Sequence, residues 1–312
     1  MPTKNILLGF LTAVLFLSIV NSSCTKNLPD ILNPGDTVIV KPPVGSTPST
    51  SIFIGHKGAG SNNYNDVNME HSIASFNEAL KYLKGVEIDA QMSLDGTIWM
   101  FHDVDINFSL CNPKAYHNSI LTLHDNEIAA LELCHNSKKD RVYKLSELID
   151  LWNKSSNGFY IDLEIKTAID TADYRSFGGE PAYLVKMAAS MNKILQGLTH
   201  SPKLLQIDDY SVRFSTAMKK YAVGKTLTYM LNEDGTFEEN VADAIAGKFD
   251  GVIHKFTHAS VTAASVRIAH EKGLLVSLFS PYTDAEVLGV YNMLPDFIDT
   301  DHTTVMLDLG LK

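Results

Sequence analysis

Strand-like runs of apolar residues end abruptly in polar side chains at several points in this sequence. The first such run, IGHKG, carries His56, and the longest, VEIDAQMSLDGTIWMFHD, carries Glu87, Asp89 and His102. Two histidines can serve as an acid and a base, and neighbouring carboxylates can hold a divalent cation. These residue types together favour metal-assisted cleavage of a phosphodiester.

The carboxylates are spaced so that they share one face of a strand. Glu87 and Asp89 are two residues apart, and the side chains of a strand alternate between its faces. A later run, FYIDLEIK, adds Glu164, with Lys166 two residues further on. Crowded, buried carboxylates repel each other and lose hydration, so a cation is their natural partner, and oxygen ligands favour Mg²⁺ or Ca²⁺ over zinc. The alternative is that one carboxylate points outward or pairs with a lysine.

The basic residues near these carboxylates suggest how a phosphate could be handled. His56 and His102 could act on opposite sides of one phosphorus atom, although the sequence does not say which is the base. Asp103 follows His102 and could set the tautomer of its imidazole. Lys57 and Lys166 could neutralise phosphate oxygens, whereas most lysines only keep a surface solvated.

Composition and missing motifs exclude several other functions. The formal net charge of −10 argues against a sequence-independent nucleic-acid binder, which needs a basic face. A small anionic substrate remains compatible, because a cation and a few lysines can reverse the sign locally. The sequence contains no GxGxxG after its first strand-like run, no GxxxxGK[ST] and no GxSxG, so nucleotide-binding loops and a serine nucleophile are not supported.

Strand-like runs alternate with helical stretches along the chain. The predicted strands are Ser51–Gly58, Gly85–Ala90, Phe159–Lys166, Lys203–Asp208, Lys225–Leu231, Gly251–Lys255, Leu274–Phe279 and Phe297–Asp301. The predicted helices are His71–Leu83, Leu123–Leu133, Leu145–Trp152, Pro181–Leu195, Val212–Tyr221, Phe237–Lys248, Val261–Lys272 and Asp284–Asn292. This pattern predicts an α/β fold, a (β/α)₈ TIM barrel whose active site lies at the C-terminal ends of the strands. A doubly wound open sheet is the alternative, because alternation alone does not show closure.

One further strand-like run, Thr97–Phe101, does not fit the alternation. Only Ser93–Gly96 separates it from the second strand, whereas parallel neighbours need a crossover of a dozen or more residues. The Asp95-Gly96 turn therefore predicts a hairpin excursion after the second strand. We expect Asn107–Leu121 to form a loop over the barrel mouth that could select substrates.

The N-terminus is typical of an exported lipoprotein. Lys4 precedes an apolar run, Ile6–Val20, and two serines stand directly before Cys24. We expect a signal peptide over residues 1–23, cleaved before Cys24, and a lipid on that cysteine that attaches the protein to a membrane in the periplasm or at the cell surface. An ordinary secretory signal cleaved nearby is the alternative.

The exported chain would consist of a tether and one domain. Residues 24–50 are rich in Pro, Gly, Ser and Thr and lack helical periodicity, which is typical of a flexible tether. Residues 51–312 would form the catalytic domain. In an oxidising compartment Cys111 and Cys134 could form a disulfide, but the sequence does not say whether their Cα atoms are close enough. The oligomeric state is not predictable.

The order and spacing of these motifs resemble the glycerophosphodiester phosphodiesterase family. The matching stretches are His56-Lys57-Gly58, Glu70-His71-Ser72, Glu87-Ile88-Asp89, Asp95-Gly96, His102-Asp103, Glu164-Ile165-Lys166 and Thr300-Asp301. The resemblance implies a (β/α)₈ barrel that hydrolyses small-molecule glycerophosphodiesters to an alcohol and glycerol 3-phosphate. It also implies the site residues: an acid–base pair of His56 and His102, cation ligands Glu87, Asp89 and Glu164, and Lys57 on the phosphate.

The chain departs from the family pattern around the site. Lys57 replaces an arginine, which keeps the charge and loses the bidentate fork. His71-Ser72 replaces Asn-Thr, residues 105–110 (DINFSL) replace an R-T-T motif, and Val276–Phe279 lacks a common tryptophan. These changes leave open which alcohol is released and whether the enzyme prefers a glycerol-containing substrate. The alternatives are a phospholipase-C-like enzyme that releases a cyclic phosphate, and a surface lipoprotein that binds a phosphorylated ligand without turnover.

Overall fold

The computed structural model describes residues 51–60, 68–114, 119–135, 138–166, 171–199, 205–209, 227–231 and 235–310. The expected signal peptide and tether and the predicted helix Val212–Tyr221 lie outside the described residues. No helix within the described ranges combines the length and the apolarity that crossing a bilayer requires.

Eight parallel strands close into a barrel. The described strands are β1 (Ile52–Gly55), β2 (Gly85–Met92), β3 (Ile98–Met100), β4 (Leu133–His135), β5 (Lys138–Asp140), β6 (Tyr143–Lys144), β7 (Tyr160–Ile165), β8 (Leu205–Asp209), β9 (Leu227–Leu231), β10 (Gly251–Lys255), β11 (Leu275–Phe279) and β12 (Phe297–Thr300). In the barrel β1 pairs with β2, and β7 to β12 follow in chain order. β12 pairs back onto β1, which closes the sheet and confirms the predicted barrel over the open sheet.

The predicted hairpin excursion is also present. β3 runs antiparallel to the end of β2, with Met92 opposite Ile98, and β6 pairs with β3. Gly96 adopts a φ of 86° in the turn, a left-handed conformation that favours glycine. β2 therefore belongs to the barrel at its start and to this hairpin at its end.

The described helices form the outer layer; two of them lie in the excursion between β2 and β7, and each of the others follows a barrel strand. They are α1 (Ile73–Ala79), α2 (Asp125–Ala129), α3 (Leu145–Lys154), α4 (Glu180–Leu195), α5 (Phe237–Gly247), α6 (Ala263–Glu271), α7 (Asp284–Tyr291) and α8 (Val305–Asp308). Helix α1 begins at Ile73 and not at the predicted His71, because Ser72 is its N-cap and His71 has a left-handed φ of 56°. Trp152 and Tyr183 fill the core outside β2 and β7, and Phe237 packs outside β10 to β12.

The segment between β3 and α3 has a core and a covalent link of its own. Trp99, Phe101 and Ile106 pack with other buried residues of this segment. A disulfide joins Cys111 to Cys134, with the two Cα atoms 4.8 Å apart. The region predicted as a mouth loop contains 3₁₀ turns at Ile106–Phe108 and Ile120–Thr122. Residues 115–118 of that region lie outside the described residues.

Candidate active site

Six of the seven predicted site residues converge because neighbouring barrel strands carry them, and the seventh, His102, follows β3, which pairs with β2. β12, β1, β2 and β7 are adjacent in the barrel. His56 follows β1, Glu87 and Asp89 lie within β2, and Asp89 stands opposite Glu164 of β7 in the sheet register. Asp301 follows β12 directly. The C-terminal ends of these strands meet at one end of the barrel, where the fold places an active site.

A tight turn after β1 brings the backbone of Lys57 onto the carboxylates. Lys57 has a φ of 54°, and Gly58 follows with a φ of 89°. A Cβ at Gly58 would lie 2.4 Å from Ser75 Oγ, so this position requires glycine. The N–H of Lys57 donates a 2.7 Å hydrogen bond to Glu87 Oε2, and its C=O accepts one from the N–H of His71. The strained backbone at Lys57 is therefore held from both sides.

Each candidate catalytic histidine has a carboxylate on its Nδ1. Asp301 Oδ1 lies 2.9 Å from His56 Nδ1, and Asp103 Oδ1 lies 2.8 Å from His102 Nδ1. Such a partner fixes the ring orientation and leaves Nε2 as the nitrogen for proton transfer. His56 Nε2 points to the carboxylates, 3.9 Å from Glu87 Oε2.

The two pairs differ in their surroundings. The side chain of His56 is 17% exposed and that of Asp301 is fully buried, whereas His102 and Asp103 are 39% and 30% exposed. Hydrogen bonding to His102 lowers the pKa of Asp103 and outweighs the opposing effect of its partial burial. Asp103 Oδ2 accepts a 3.0 Å hydrogen bond from Ser109 Oγ, so the segment after β3 helps to hold the more exposed pair.

A buried glutamine fixes the backbone around His102. Gln91 Nε2 donates hydrogen bonds to the carbonyls of Phe101, at 2.9 Å, and Asp103, at 3.0 Å. Gln91 continues the alternation of Glu87 and Asp89 on β2, so the same strand face carries all three side chains.

Three buried side chains form a cluster that could hold a metal ion. One potential ligand atom from each of His71, Glu87 and Asp89 lies within 4.8 Å of the others. Among the described residues, no hydrogen bond reaches Glu87 Oε1, and the side-chain oxygens of Asp89 have only the contacts of Lys166 Nζ and His71 Nε2, each at 3.0 Å. Buried anionic oxygens without donors are costly, and a divalent cation would compensate them. A divalent cation therefore fits this cluster, in which the third residue is His71 and not the predicted ligand Glu164.

Burial and the neighbouring charges shift the pKa values of the two carboxyl groups in this cluster. Burial raises the pKa of Glu87 well above its usual value, and the charges of Asp89 and Glu164 raise it further. Burial also disfavours ionised Asp89, but the positive charge of Lys166 and contact with His71 outweigh it and hold the pKa of Asp89 well below its usual range. Without a cation, the pair thus keeps its negative charge mainly on Asp89.

The lysines lie among these carboxylates and not on an open surface. Lys166 Nζ lies 3.0 Å from Asp89 Oδ1 and also pairs with Glu164 Oε1. Burial raises the pKa of Glu164 although Lys166 opposes the shift. Lys57 Nζ lies 3.9 Å from Glu70 Oε2, and nearby carboxylates, Asp89 first, raise the pKa of Lys57 against the effect of its burial.

All seven predicted site residues lie in one region of the structure, where three residues that were not predicted as site residues also make contacts. His71 differs from the residue that the family motif has at this position, but no local feature of the sequence indicates that it contacts the carboxylates. Gln91 could have been found, because it extends the polar alternation of β2. Asp301 was noted at a strand end without a role, since its contact with His56 depends on the pairing of the first and last strands.

Comparisons with known proteins agree with this geometry. A sequence model of the glycerophosphoryl diester phosphodiesterase family matches residues 56–305. A search of curated proteins gives no match.

Solved structures share the fold at low sequence identity. An Oleispira antarctica phosphodiesterase in complex with the product sn-glycerol-3-phosphate has a TM-score of 0.66 and 15% identity, covering 84% of this chain and 97% of that chain. A glycerophosphodiester phosphodiesterase from Parabacteroides distasonis has a TM-score of 0.66 and 16% identity, with coverages of 84% and 99%. One from Thermotoga maritima has a TM-score of 0.59 and 17% identity, with coverages of 83% and 98%.

The structural likeness supports the barrel, and the family match spans most of the chain and includes both histidine pairs and the carboxylates. The chain therefore belongs to the glycerophosphoryl diester phosphodiesterase family of phosphoric diester hydrolases.

Proposed function

We propose that this protein is an exported, metal-dependent enzyme that hydrolyses glycerophosphodiesters to an alcohol and glycerol 3-phosphate. The observation that carries the proposal is the placement of two histidine–carboxylate pairs, His56–Asp301 and His102–Asp103, around one buried acidic cluster. Family membership supplies the substrate class. The glycerol phosphate bound to the Oleispira antarctica phosphodiesterase supports the product.

The two histidines divide the proton transfers between them. A neutral imidazole that donates from Nδ1 to its carboxylate presents a lone pair on Nε2 and acts as the base. The other imidazole carries protons on both nitrogens, is stabilised by its carboxylate, and donates from Nε2 to the leaving alcohol oxygen. The base takes the proton of the attacking hydroxyl as the oxygen of that hydroxyl bonds to phosphorus. The bond from phosphorus to the alcohol oxygen breaks as the acid protonates that oxygen, so one histidine gains the proton that the other loses.

The remaining predicted residues bind the anion and its cation. Glu87, Asp89 and Glu164 would hold the divalent ion, Mg²⁺ or Ca²⁺ by the oxygen-ligand argument. When bound, that ion would polarise a phosphoryl oxygen and lower the pKa of the attacking hydroxyl. Lys57 and Lys166 would bind phosphate oxygens, since Lys166 Nζ lies 3.0 Å from Asp89 Oδ1 and the charges of Asp89 and Glu87 act on the ammonium group of Lys57.

The N-terminal segment and the disulfide support export. Residues 1–23 would be removed, Cys24 would carry the lipid, and residues 24–50 would tether the domain to the membrane. The Cys111–Cys134 disulfide agrees with this location, because such bonds persist in oxidising compartments and are rare in a reducing cytosol.

Turnover of a panel of glycerophosphodiesters by the full chain, in Mg²⁺, in Ca²⁺ and in EDTA, tests the proposal. We expect metal-dependent release of an alcohol and an open glycerol monophosphate. A cyclic phosphate product would instead identify a phospholipase-C-like enzyme. Binding of the diesters without turnover in any cation would contradict catalysis and favour a binding lipoprotein.

A further inference from the structure

His71 stands in the buried acidic cluster, at a position where the family pattern has an asparagine. Its side chain is 4% exposed, and its Nε2 lies 3.0 Å from Asp89 Oδ2. The proposed mechanism gives this imidazole no role in proton transfer or in phosphate binding. Its position beside the carboxylates therefore requires an explanation of its own.

The hydrogen bonding around His71 Nε2 leaves one contact unexplained. The backbone N–H of Asp89 donates to this nitrogen at 3.2 Å, so Nε2 carries a lone pair in that arrangement. The same nitrogen lies 3.0 Å from Asp89 Oδ2, and only a protonated Nε2 could donate to that oxygen, which would leave the N–H of Asp89 without this acceptor. In the tautomer that accepts from the N–H, Nε2 and Oδ2 are two acceptors 3.0 Å apart in a buried site, and they repel each other unless a metal ion lies between them.

This spacing equals an ordinary hydrogen-bond distance, and it is also the spacing that a shared metal ion produces. Adjacent ligand atoms bound at about 2.1 Å in an octahedron lie about 3 Å apart. An ion at Nε2 and Oδ2 would replace the long 3.2 Å hydrogen bond from Asp89 and would also compensate Glu87 Oε1. Glu70 Oε1 lies 4.0 Å from His71 Nδ1, on the side where a metal-bound histidine commonly finds a carboxylate.

The backbone holds the imidazole in this place before any ion arrives. The left-handed φ of His71 is uncommon for a residue with a side chain, and its N–H is bonded to the carbonyl of Lys57. Ser72, the next residue, is the N-cap of helix α1. The position of the imidazole is thus fixed by the start of this helix and by the turn after β1 that carries His56 and Lys57.

We propose that His71 is a metal ligand through Nε2, and that this nitrogen gives the site a preference for Mn²⁺, Co²⁺ or Zn²⁺ over Ca²⁺. The inference rests on the proposed metal dependence. Imidazole binds borderline transition-metal ions well, whereas Ca²⁺ and Mg²⁺ favour oxygen ligands. A site built from Glu87, Asp89 and one imidazole therefore differs in selectivity from an all-oxygen site.

Metal binding by the full chain tests this inference directly. Pulsed EPR of bound Mn²⁺ detects the nitrogen nucleus of a coordinated imidazole, and calorimetry gives the affinities for Co²⁺ and Ca²⁺. We expect His71→Asn to abolish the nitrogen coupling, to weaken Co²⁺ binding by about 10- to 100-fold, and to change Ca²⁺ binding much less. Asparagine can still accept the N–H of Asp89, so the variant keeps a partner for that group.

Two control variants separate His71 from other histidines. His270 is also buried beside a carboxylate, with Nε2 3.0 Å from Asp296 Oδ2, and it lies outside the cluster. We expect His270→Asn to keep the nitrogen coupling and the Co²⁺ affinity. His56→Asn removes the other imidazole near Glu87, and the coupling should survive it. Thermal unfolding of each variant shows whether it is folded.

The outcomes distinguish this inference from the proposed function. A coupling that persists in His71→Asn or disappears in His56→Asn overturns the assignment of His71, as does a wild-type chain that binds no metal. If Mg²⁺ or Ca²⁺ supports hydrolysis but bound Mn²⁺ shows no nitrogen coupling, the proposed function stands and His71 is not a metal ligand. Nitrogen coupling lost in His71→Asn, in a chain that hydrolyses no diester, supports the ligand and refutes the function.

Discussion

Both candidate catalytic imidazoles are oriented by a carboxylate at Nδ1, but the carboxylates come from different places in the chain. Asp103 is the sequence neighbour of His102, whereas Asp301 lies 245 positions from His56. The first contact could be proposed from the sequence alone. The second depends on the pairing of the last strand with the first, so it became visible only in the closed barrel.

Replacing either histidine should remove most of the activity. We expect His56→Gln and His102→Gln each to lower kcat by about 10²- to 10⁴-fold, because each loses one of the two proton transfers. The steady-state rate on the best glycerophosphodiester of the panel measures this loss. His270→Gln, which removes a buried histidine outside the site, serves as the control, and near-full activity of both site variants would refute the mechanism.

Asp301 should act through His56. We expect Asp301→Asn to lower kcat by about 10²-fold or more with a smaller effect on KM, because a neutral amide does not stabilise an imidazolium. The pH dependence of kcat should change as well, because the charge beside His56 has been removed. A variant with an unchanged pH profile and reduced thermal stability would show that Asp301 is only structural.

At the scale of the elements, strand β2 and the segment after β3 determine how the site is assembled. Alternating strand-like and helical runs predicted the barrel strands within a few residues, because buried parallel strands read as apolar runs bounded by turns. The start of α1 was misplaced, because the left-handed backbone of His71 is imposed by a bond to Lys57 that no local pattern encodes. The sequence leaves the Cys111–Cys134 disulfide open, since it depends on the distance between two residues that are 23 positions apart in the chain.

The disulfide should support both stability and the His102 pair. The N–H of Cys134 donates to the carbonyl of Ser109, whose hydroxyl donates to Asp103. We expect the double variant Cys111→Ser and Cys134→Ser to lower the free energy of unfolding by about 2–4 kcal/mol and to lower kcat. Denaturant unfolding and the steady-state rate measure the two effects.

A single substitution isolates the catalytic part of that effect. We expect Ser109→Ala to lower kcat while the disulfide and most of the stability remain, because only the hydrogen bond to Asp103 is lost. If Ser109→Ala is fully active and only the double serine variant is impaired, the segment acts on the site through global stability and not through Asp103.

At the scale of the whole molecule, the barrel encloses an excess of buried acid. The chain carries a formal net charge of −10, and Glu87, Asp89 and Glu164 lie together at one end of the barrel. The clustering of carboxylates could be predicted from strand spacing. Their unequal protonation could not, because it depends on where Lys166 and His71 lie relative to each oxygen.

The metal-free protein should lose stability as the pH rises above about 4.5, the ordinary value for glutamate. The folded state binds the protons of Glu87 and Glu164 more tightly than the unfolded state does, so this contribution is complete below that pH and is lost as the folded groups ionise. Asp89, whose pKa is lowered, contributes to stability in the opposite direction, and that contribution changes only below about pH 3.8. The Tm of the metal-free protein in EDTA, measured from about pH 4.5 upward, tests the expected loss of stability.

A substitution and a cation should each reverse that loss. We expect Glu87→Gln to raise the Tm of the metal-free protein near pH 7, because a neutral amide removes the free-energy cost of holding Glu87 either protonated or ionised in the buried cluster, and to weaken the stabilisation by added metal. Glu132→Gln, at an exposed ion pair with Lys139, is the matched control and should change neither. A Tm of the wild type that rises with pH in EDTA over this range would contradict the argument.

The amide of Gln91 links the barrel to the second histidine in a way that bears on how this enzyme could be redesigned. Because β2 carries Glu87, Asp89 and Gln91, the backbone at His102 is held from the barrel wall by the hydrogen bonds of Gln91. Segments beginning after Asp103 could then be exchanged between relatives, as interchangeable modules that contact different alcohols. The hydroxyl of Ser109, or an equivalent donor to Asp103, is the one feature that such a graft would have to carry with it.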